Sequence, residues 1–403
     1  MCAPVCAGRL KIPKAALRCE GESMLNEKRL LDTFLELVQI DSESLNEAKI
    51  QKVLVKKLKK LGCTVYVDQA GKKFNTNAEG NIIATLKGKL SQKPFVLSAH
   101  MDTVCPGVGI KPCVKKDRVT SDGTTILGAD DKAGIAIILE TLHVLKELKG
   151  NHPSVQVIFT LCEERAITGA KYLDYRKIKG TDGLILDNES IEDLLVRGPG
   201  KYNFNVKIHG VLAHAGVCPE KGISAIDVLA KAMRLMKHGR VDKETVCNFG
   251  VISGGQITNA VLSELSLKGE VRSLNAKKLE KQIAHMKDCF AKAEKAFIKK
   301  VDGKTIAPKV EIETELCYAA QNISKNSPSV KLVLAAARKH GVKLKPMVCG
   351  GGCDANVMFQ HGLALPNMGV GVEKCHSLEE YLILPDFYKA ARVVLDTVLS
   401  YRG

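Results

Sequence analysis

Residues 95–102 read Phe-Val-Leu-Ser-Ala-His-Met-Asp and give the clearest indication of the fold class. Its first part, Phe95–Ala99, is a mostly apolar run of strand length, and a histidine and an aspartate follow within three residues. In open α/β sheets, ligands and catalytic groups lie beyond the carboxyl ends of the strands. We therefore predict a buried strand that delivers His100 and Asp102 to a functional edge of a sheet.

The same arrangement recurs along the chain, where acidic or histidine-bearing segments follow or lie near apolar runs. These segments are Gly128–Gly134 after Ile126–Leu127, Cys162–Glu164 after Val155–Leu161, Asp187–Asn188 after Gly183–Leu186, and Cys375–Ser377 after a Gly-Val-Gly-Val run. Because strand ends meet at one edge of such a sheet, we expect these side chains to converge on a single site.

Length and composition indicate an ordinary globular protein of two domains. The chain has 403 residues, of which 45% are hydrophobic, and no apolar stretch approaches the roughly 20 residues of a membrane span. Its 14 cysteines are scattered and include no Cys-x-x-Cys pair, and Cys63, Cys162 and Cys247 lie in or beside apolar segments. This usage favours buried, reduced thiols and a cytoplasmic location.

The chain is basic, with a formal net charge of +16 at pH 7. Its lysine runs could contact nucleic acid or acidic membranes, but they are short and lack interleaved aromatic residues, so we predict a solvated surface and neither partner. Residues 1–23 form an N-terminal extension without the apolar core of a secretory signal. An organellar address and a true start at Met24 both remain open for it.

Alternating helix and strand patterns over residues 24–197 predict an α/β catalytic domain with a mixed, mainly parallel sheet covered by helices. The breaker cluster Gly198-Pro199-Gly200 ends this pattern. Residues 198–316 then follow the order β-α-β-β-α-β, which predicts an inserted α+β domain of ferredoxin-like type, with a lysine-rich helix over Leu279–Val301. Residues 317–403 complete the catalytic domain.

Two of these segments contain the donors that a pair of divalent metal ions requires, namely imidazoles and a carboxylate that bridges the ions. His100 offers an imidazole, and Asp102 is spaced to hydrogen-bond its other nitrogen. Asp130 and Asp131 lie on a glycine-flanked loop before a helix that opens near Ala133, which suits a bridge, although one of them could simply cap that helix.

The remaining candidates each have an ordinary structural alternative. Glu163 and Glu164 would be costly neighbours at the end of a buried strand unless a cation offset their charge, or else they are surface glutamates. Beside metal ions, one could ligate and the other serve as general base. Asp187 could be a turn residue, and His214 and His376 could be surface histidines.

Three motifs carry a resemblance to a known family. They are Asp-Gly-Thr-Thr-Ile-Leu-Gly-Ala-Asp-Asp-Lys-Ala-Gly at 122–134, Ala-His-Ala-Gly at 213–216, and Gly-Gly-Cys-Asp-Ala-Asn at 351–356. They resemble the dinuclear zinc exopeptidases of the aminoacylase and glutamate carboxypeptidase superfamily, most closely its peptidase T (tripeptide aminopeptidase-like) branch. The resemblance runs from about Met24 to the C-terminus. One departure is Cys353, which stands where the family pattern has serine.

The resemblance implies a role for each candidate. The metal ligands would be His100, Asp130 as the bridge, Glu164, Asp187 and His376. Asp102 would orient His100, Glu163 would be the general base, and His214 from the lid domain would stabilise the oxyanion, in many members across a dimer interface. Substrate would be held by Asn259, Arg272 and the loop 351–356, including Gly352, Asp354 and Asn356. It further implies a cis peptide bond between Asp130 and Asp131.

These roles imply an exopeptidase that hydrolyses short peptides as a homodimer, using a water activated by two zinc ions, with cobalt or manganese as substitutes. Two alternatives share the same metal site: an N-acyl-amino-acid amidohydrolase and a carboxypeptidase. A third, from a different class, is a non-catalytic basic binding protein on the same fold. The retention of every ligand position and of Glu163 disfavours the third.

Overall fold

The computed structural model describes residues 24–403, so the predictions for residues 1–23 fall outside it. Within the described range the chain forms nine helices and twenty strands. The helices are α1 Glu27–Val38, α2 Ala48–Lys60, α3 Ala129–Glu147, α4 Thr168–Lys171, α5 Ala225–Leu235, α6 Ala276–Ala296, α7 Pro328–Lys339, α8 Asp354–Gln360 and α9 Leu384–Ser400. The strands are β1 Thr64–Val67, β2 Ile82–Leu86, β3 Phe95–His100, β4 Cys113–Val114, β5 Arg118–Thr120, β6 Val155–Thr160, β7 Gly183–Asn188, β8 Asp193–Gly198, β9 Gly200–His209, β10 Gly239–Arg240, β11 Thr245–Gly254, β12 Glu264–Ser273, β13 Lys299–Val301, β14 Lys304–Ile306, β15 Lys309–Tyr318, β16 Gln321–Asn322, β17 Lys345–Val348, β18 Asn367–Gly369, β19 Val372–Glu373 and β20 Tyr381–Ile383.

The central sheet has nine strands in the order β1-β2-β6-β3-β7-β18-β8-β16, with β17 beside β8. Its inner strands β6, β3, β7 and β18 are mutually parallel, and antiparallel strands extend the sheet on both sides. Every residue of β3 and β6 is buried, as expected of parallel strands covered on both faces. The predicted mixed, mainly parallel sheet is therefore confirmed.

Helices cover both faces of this sheet. Neighbouring residues of β3 show the division, since Leu97 packs in the larger core with α1, α3 and α9, whereas Val96 packs on the opposite face with Met358 of α8. Helix α3 is buried along almost its whole length and contacts both β3 and β7. It therefore starts directly beneath the carboxyl ends of the central strands.

A second, antiparallel sheet has the order β10-β11-β12-β9-β15, and α5 and α6 pack on it. The four long strands follow the β-α-β-β-α-β chain order with β9 between β12 and β15, which is the ferredoxin-like arrangement that the sequence predicted. The sheet spans residues 200–318, and the domain limits at 198 and 316 stay a prediction.

One predicted element of this region is wrong. The helix expected over Leu279–Val301 ends at Ala296, and Lys299–Val301 instead forms a hairpin with β14. The turn between the two strands is Asp302-Gly303, and both residues have positive φ, at 49° and 75°. An Asp-Gly pair is a preferred two-residue turn of a hairpin. The lysine-rich helical spacing continues up to this turn in the sequence, but the residues next to the turn form a strand.

Two composition-based expectations can be examined in the described range. None of the helices of residues 24–403 is both long and apolar enough to cross a membrane. The cysteines in that range are free, and Cys63, Cys162 and Cys247 are buried, as predicted.

Candidate active site

The His100 imidazole is placed by the end of β3 and is almost fully buried. Its Nδ1 lies 2.9 Å from the main-chain oxygen of Asp102 and 3.4 Å from a carboxylate oxygen of the same residue. The sequence predicted the carboxylate as the partner, but the carbonyl is the closer group. With Nδ1 held in this way, Nε2 points into the site, 3.0 Å from Asp130 Oδ1 and 3.6 Å from Asp187 Oδ1.

Asp130 lies between two imidazoles. Its Oδ1 faces His100 Nε2 at 3.0 Å, and its Oδ2 faces His376 Nε2 at 3.2 Å. His376 Nε2 also lies 2.7 Å from Glu164 Oε1. A carboxylate that presents one oxygen to each of two ligand groups has the arrangement required of a bridge between two ions.

Asp131 has a different task from its neighbour. Its carboxylate accepts hydrogen bonds from the backbone N–H of His100 at 3.2 Å and of Gly134 at 3.1 Å. Asp130 and Asp131 both have non-helical backbone angles, and the peptide bond between them is cis, as the resemblance implied. The sequence allowed two interpretations of this pair, a metal bridge and a helix cap. Each interpretation applies to one residue, because Asp130 faces the site and Asp131 caps the following helix.

All five predicted ligands are thus assembled at one edge of the central sheet. They form two groups that share the bridge: His100, Asp130 and Asp187 on one side, and Asp130, Glu164 and His376 on the other. Ligand atoms of His100, Asp130 and Glu164 lie within 4.8 Å of one another, and so do those of His100, Asp131 and Asp187. Imidazole nitrogens with carboxylate oxygens suit zinc, cobalt or manganese.

The electrostatics of the cluster fit bound cations. Burial, followed by the repulsion of neighbouring carboxylates, raises the pKa of Asp187 to about 7. Hydrogen bonds to Asp130 and Glu164 raise the pKa of His376 to about 10. Against the burial of Asp130, the two imidazoles act in the opposite direction and lower its pKa, so the buried carboxylates here need positive charge beside them, which a divalent ion would supply when bound.

The loop Cys162–Glu164 is held by carboxylates that accept three consecutive backbone N–H groups. Cys162 N–H donates to Glu47 Oε1 at 3.1 Å, and the N–H groups of Glu163 and Glu164 donate to the two oxygens of Asp102 at 2.9 and 3.2 Å. Cys162 has φ +46°. Asp102 therefore positions both the imidazole of His100 and the loop that carries the predicted base and ligand.

Glu163 itself is largely buried beside this cluster. Burial and then the negative charge of Asp187 raise the pKa of its carboxyl well above the ordinary value, with Asp354 and Glu164 contributing in the same direction. A cavity of about 210 Å³ opens over the ligands. It is lined by Asp130, Asp131, Asp187, Asn188, Glu189, Val370, Val372, Cys375 and His376.

The predicted substrate loop lies between the two sheets. Arg272 Nη1 on β12 donates to the oxygen of Gly350 at 3.3 Å, while its Nε and Nη2 form a bidentate pair with Glu270. Gly352 lies so close to Tyr318 that a Cβ there would be 2.2 Å from the ring, which explains the glycine. This contact joins the loop to the end of β15.

Asp354 and Asn356 are buried and held by protein groups. The Asn356 amide donates to the oxygens of Pro199 and Ala319, at 3.0 and 2.9 Å, and its Oδ1 accepts from Cys353 N–H. Asp354 accepts from Thr160 Oγ1 at 2.5 Å. These contacts favour a role in shaping the loop, and direct contact with substrate stays a prediction for both residues.

His214, on the loop after β9, and Asn259, on the loop between β11 and β12, lie on two exposed loops that contact each other at one end of the second sheet. Ala215 N–H donates to the oxygen of Asn259 at 2.9 Å, and His214 pairs with Ala260 in an isolated bridge. Within residues 24–403, no hydrogen bond or ion pair joins His214 to the ligand cluster. A single chain in this arrangement therefore does not bring His214 to the ligands, as its predicted oxyanion role would require.

Two buried charged residues near the ligands were missed by the sequence reasoning. Glu380 accepts hydrogen bonds from the N–H groups of Leu127, Gly128 and Asp130 at 2.8, 2.8 and 3.0 Å. Lys132 is fully buried, and its Nζ donates to the oxygen of Ile40 at 3.3 Å. Burial lowers the pKa of Lys132 to about 8, and the carboxylates of Glu380 and Asp102 act in the opposite direction. The position of Glu380 four residues after His376 was the available signal.

Comparison with known proteins gives consistent matches over nearly the whole chain. The model of peptidase family M20/M25/M40 matches residues 96–400. Uncharacterized protein YqjE of Bacillus subtilis (strain 168) is 40% identical over 373 residues, which are 92% of this chain and 98% of that protein. The crystal structure of aminopeptidase PepT from Bacillus cereus ATCC 10987 is similar with a TM-score of 0.87 at 39% identity, covering 93% of this chain and 99% of that chain. A tripeptidase from Staphylococcus aureus subsp. aureus Mu50 gives a TM-score of 0.86 at 37% identity, covering 93% and 98%.

Proposed function

The chain belongs to peptidase family M20/M25/M40, and from this premise we propose that it is a metal-dependent aminopeptidase of short peptides. The observation that carries the proposal is the Asp130 carboxylate, which presents one oxygen to His100 and the other to His376. Peptide chemistry follows from the family. The preference for short peptides with a free amino end is supported by the similarity to an aminopeptidase and a tripeptidase.

Two divalent ions, with zinc favoured and cobalt or manganese as substitutes, would when bound polarise the scissile carbonyl and lower the pKa of the attacking water. His100, Asp187 and one oxygen of Asp130 would hold the first ion. Glu164, His376 and the other oxygen of Asp130 would hold the second.

Glu163 is the proposed general base. It takes a proton from the attacking water and later delivers a proton to the nitrogen of the departing amine. Its backbone N–H is fixed by Asp102, so the same carboxylate that helps to orient His100 also sets the position of the base.

Substrate binding is assigned to the groups around the loop 351–356. Arg272 has two of its donors committed to Glu270, while Nη1 faces the loop at Gly350. We assign to Nη1 the carboxylate of the bound peptide, with the loop backbone at Gly352 contacting the peptide chain. Asn259 would contact substrate from the second sheet, and Asp354 and Asn356 would keep the loop in shape.

An unblocked tripeptide and its N-acetylated twin, offered to the metal-loaded protein, test the proposed specificity. We expect turnover of the free tripeptide, with the first residue released, and at least about tenfold lower kcat/KM for the blocked twin, because the site would lose contacts made to the free amine. Mass spectrometry of the products identifies the bond that is cleaved. Preferential cleavage of the acetylated peptide would instead identify an acylase, and release of the last residue would identify a carboxypeptidase.

We further propose that a second copy of the chain covers the free edge of β11. Strand β10 pairs with β11 only at Val246 and Cys247, so the outer edge from residue 248 to 254 has no strand partner in the described chain. Apolar side chains are exposed on this strand, at Val251 and Ile252, and on the loops next to its end, at Leu212 and Ile257. A long exposed apolar edge is a site of strand pairing between chains. The nearby loop with His214 would then reach the partner's ligand cluster.

Mixed dimers test this arrangement. A His214→Ala chain and a Glu163→Gln chain are each expected to be nearly inactive alone. Combined, they should recover roughly a quarter of wild-type turnover, because half of the randomly paired dimers contain one site with Glu163 from one chain and His214 from the other. Analytical ultracentrifugation verifies the dimer. Absence of recovery in verified mixed dimers would contradict the action of His214 across the interface.

A cytoplasmic location is also part of the proposal. The cysteines of residues 24–403 are free, including the exposed Cys105 and Cys113. Free thiols in this number favour a reducing compartment.

A further inference from the structure

Glu380 connects the two loops that carry Asp130 and His376. We propose that it is a positioning residue that sets the spacing of the two metal sites, and that the second site depends on it more than the first. The inference rests on the proposed function, since it concerns the same metal centre. It adds a residue outside the ligand set and outside the predicted catalytic machinery.

The first connection is to the loop before Asp130. The buried Glu380 carboxylate accepts from Leu127 and Gly128 through Oε2, and from Asp130 itself through Oε1. Gly128 has φ +68°, so the backbone turns here in a conformation that favours glycine. Charge-assisted hydrogen bonds from three N–H groups to one carboxylate fix the backbone directly at the bridging residue.

The second connection is through the chain to His376. Glu380 N–H donates to the oxygen of Ser377 at 3.1 Å, which closes the turn that begins just after the histidine. The following strand, β20, pairs with β5, with Tyr381 opposite Thr120. Strand β5 leads into the loop that ends at Asp130. The two ligand loops are therefore joined twice, once by the strand pair and once by the Glu380 carboxylate.

This arrangement gives the two metal sites unequal dependence on Glu380. In the second group, Asp130 and His376 both lie on segments that Glu380 joins, and only Glu164 is held elsewhere, by Asp102. In the first group, His100 and Asp187 are positioned by β3 and β7, and only Asp130 depends on Glu380. A loss of this carboxylate should therefore weaken the second site more than the first.

The variant Glu380→Gln tests the inference, with Glu379→Gln as the matched control. Glu379 carries the same charge one residue earlier, but its side chain is 74% exposed and pairs with Lys374. Chelator-treated protein is titrated with Co²⁺, followed by calorimetry and by the visible absorption of bound cobalt. We expect wild type and Glu379→Gln to bind two ions alike. For Glu380→Gln we expect a roughly 10–100-fold weaker second ion and a nearly unchanged first, the range found for partners that hold metal ligands.

A second readout separates positioning from general damage. Excess Co²⁺ should restore much of kcat to Glu380→Gln with KM for peptide unchanged, because the ligands themselves remain. If Glu380→Gln binds both ions as tightly as wild type does, or loses affinity for both ions to the same extent, the inference is overturned while the proposed metal enzyme stands. Fewer than two ions in wild type would overturn the proposed function and this inference together. Should Glu380→Gln fail to fold, Glu380→Asp replaces it, because aspartate keeps the charge on a shorter side chain. This variant must also bind the second ion more weakly than wild type does while its affinity for the first ion stays nearly unchanged.

Discussion

Replacing Glu163 with glutamine is expected to lower kcat by about 10²–10⁴-fold, the usual contribution of general acid–base catalysis, while metal binding persists. Glutamine keeps the size of the side chain but cannot accept the proton of the attacking water. The backbone contact from residue 163 to Asp102 does not involve the side chain, so the loop should keep its shape. The loss should therefore appear in kcat, with little change in KM.

The neighbouring variant Glu164→Gln makes this prediction specific. Glu164 Oε1 lies 2.7 Å from His376 Nε2 and belongs to the second ligand group. We expect Glu164→Gln to lose affinity for one ion and to regain activity as metal is added, whereas Glu163→Gln should bind both ions and stay inactive. Measured metal content and kcat for both variants distinguish the roles. Substantial activity in Glu163→Gln would show that another group is the base.

Removal of metal by a chelator is expected to lower turnover by at least about 10³-fold, since Lewis-acid catalysis contributes several kcal/mol and each 1.4 kcal/mol is a factor of ten. Without metal, His100 and His376 pair with the carboxylates around them, and the described side chains supply no Lewis acid for the scissile carbonyl. The fold should survive, because the buried core around α3 does not depend on these side chains. Circular dichroism of the chelated protein, alongside its activity, checks that the loss is chemical and not caused by unfolding.

The convergence of the five proposed ligands could be predicted from sequence because each residue follows a strand end or lies in a motif, whereas their roles as ligands came from the family resemblance. His100 ends β3 and Asp187 lies in β7, so the strand-end rule was enough to bring them together. The sequence pattern alone could not show which of Asp130 and Asp131 is placed to bridge two ions and which one caps the following helix. That division depends on which carboxylate faces His376 and which one accepts from the N–H of His100, and both are tertiary contacts.

Glu47 and Glu380, which hold ligand loops together with Asp102, were not predicted from the sequence. Glu47 accepts a hydrogen bond from a residue 115 positions away, and Glu380 from one 250 positions away. Their partners are backbone N–H groups, which every residue except proline has, so the sequence does not mark these contacts, and the position of Glu380 four residues after His376 was the one indirect signal. In the sequence, Glu47 is one acid at the start of a helical pattern and Glu380 one acid after a histidine.

Local turn chemistry explains why one predicted helix was too long, and packing bears on the predicted role of Asn356. The Asp302-Gly303 turn could have been recognised in the sequence, but the lysine-rich helical spacing before it led to a predicted helix that was too long. Asn356 belongs to a motif whose resemblance implied substrate contact; its amide nitrogen donates to Pro199 and Ala319, and contact with substrate stays a prediction. A resemblance conveys that a residue matters to the site, while only the contacts show how.

A stoichiometric titration of chelated wild-type protein with Zn²⁺, while turnover of an unblocked tripeptide is measured, tests the proposed two-metal site. We expect negligible turnover without metal and a rise that levels off at two ions per chain, as the ligands shared through Asp130 require. Turnover at the full rate in protein shown to be free of metal, or saturation at a single ion, would contradict the proposed site.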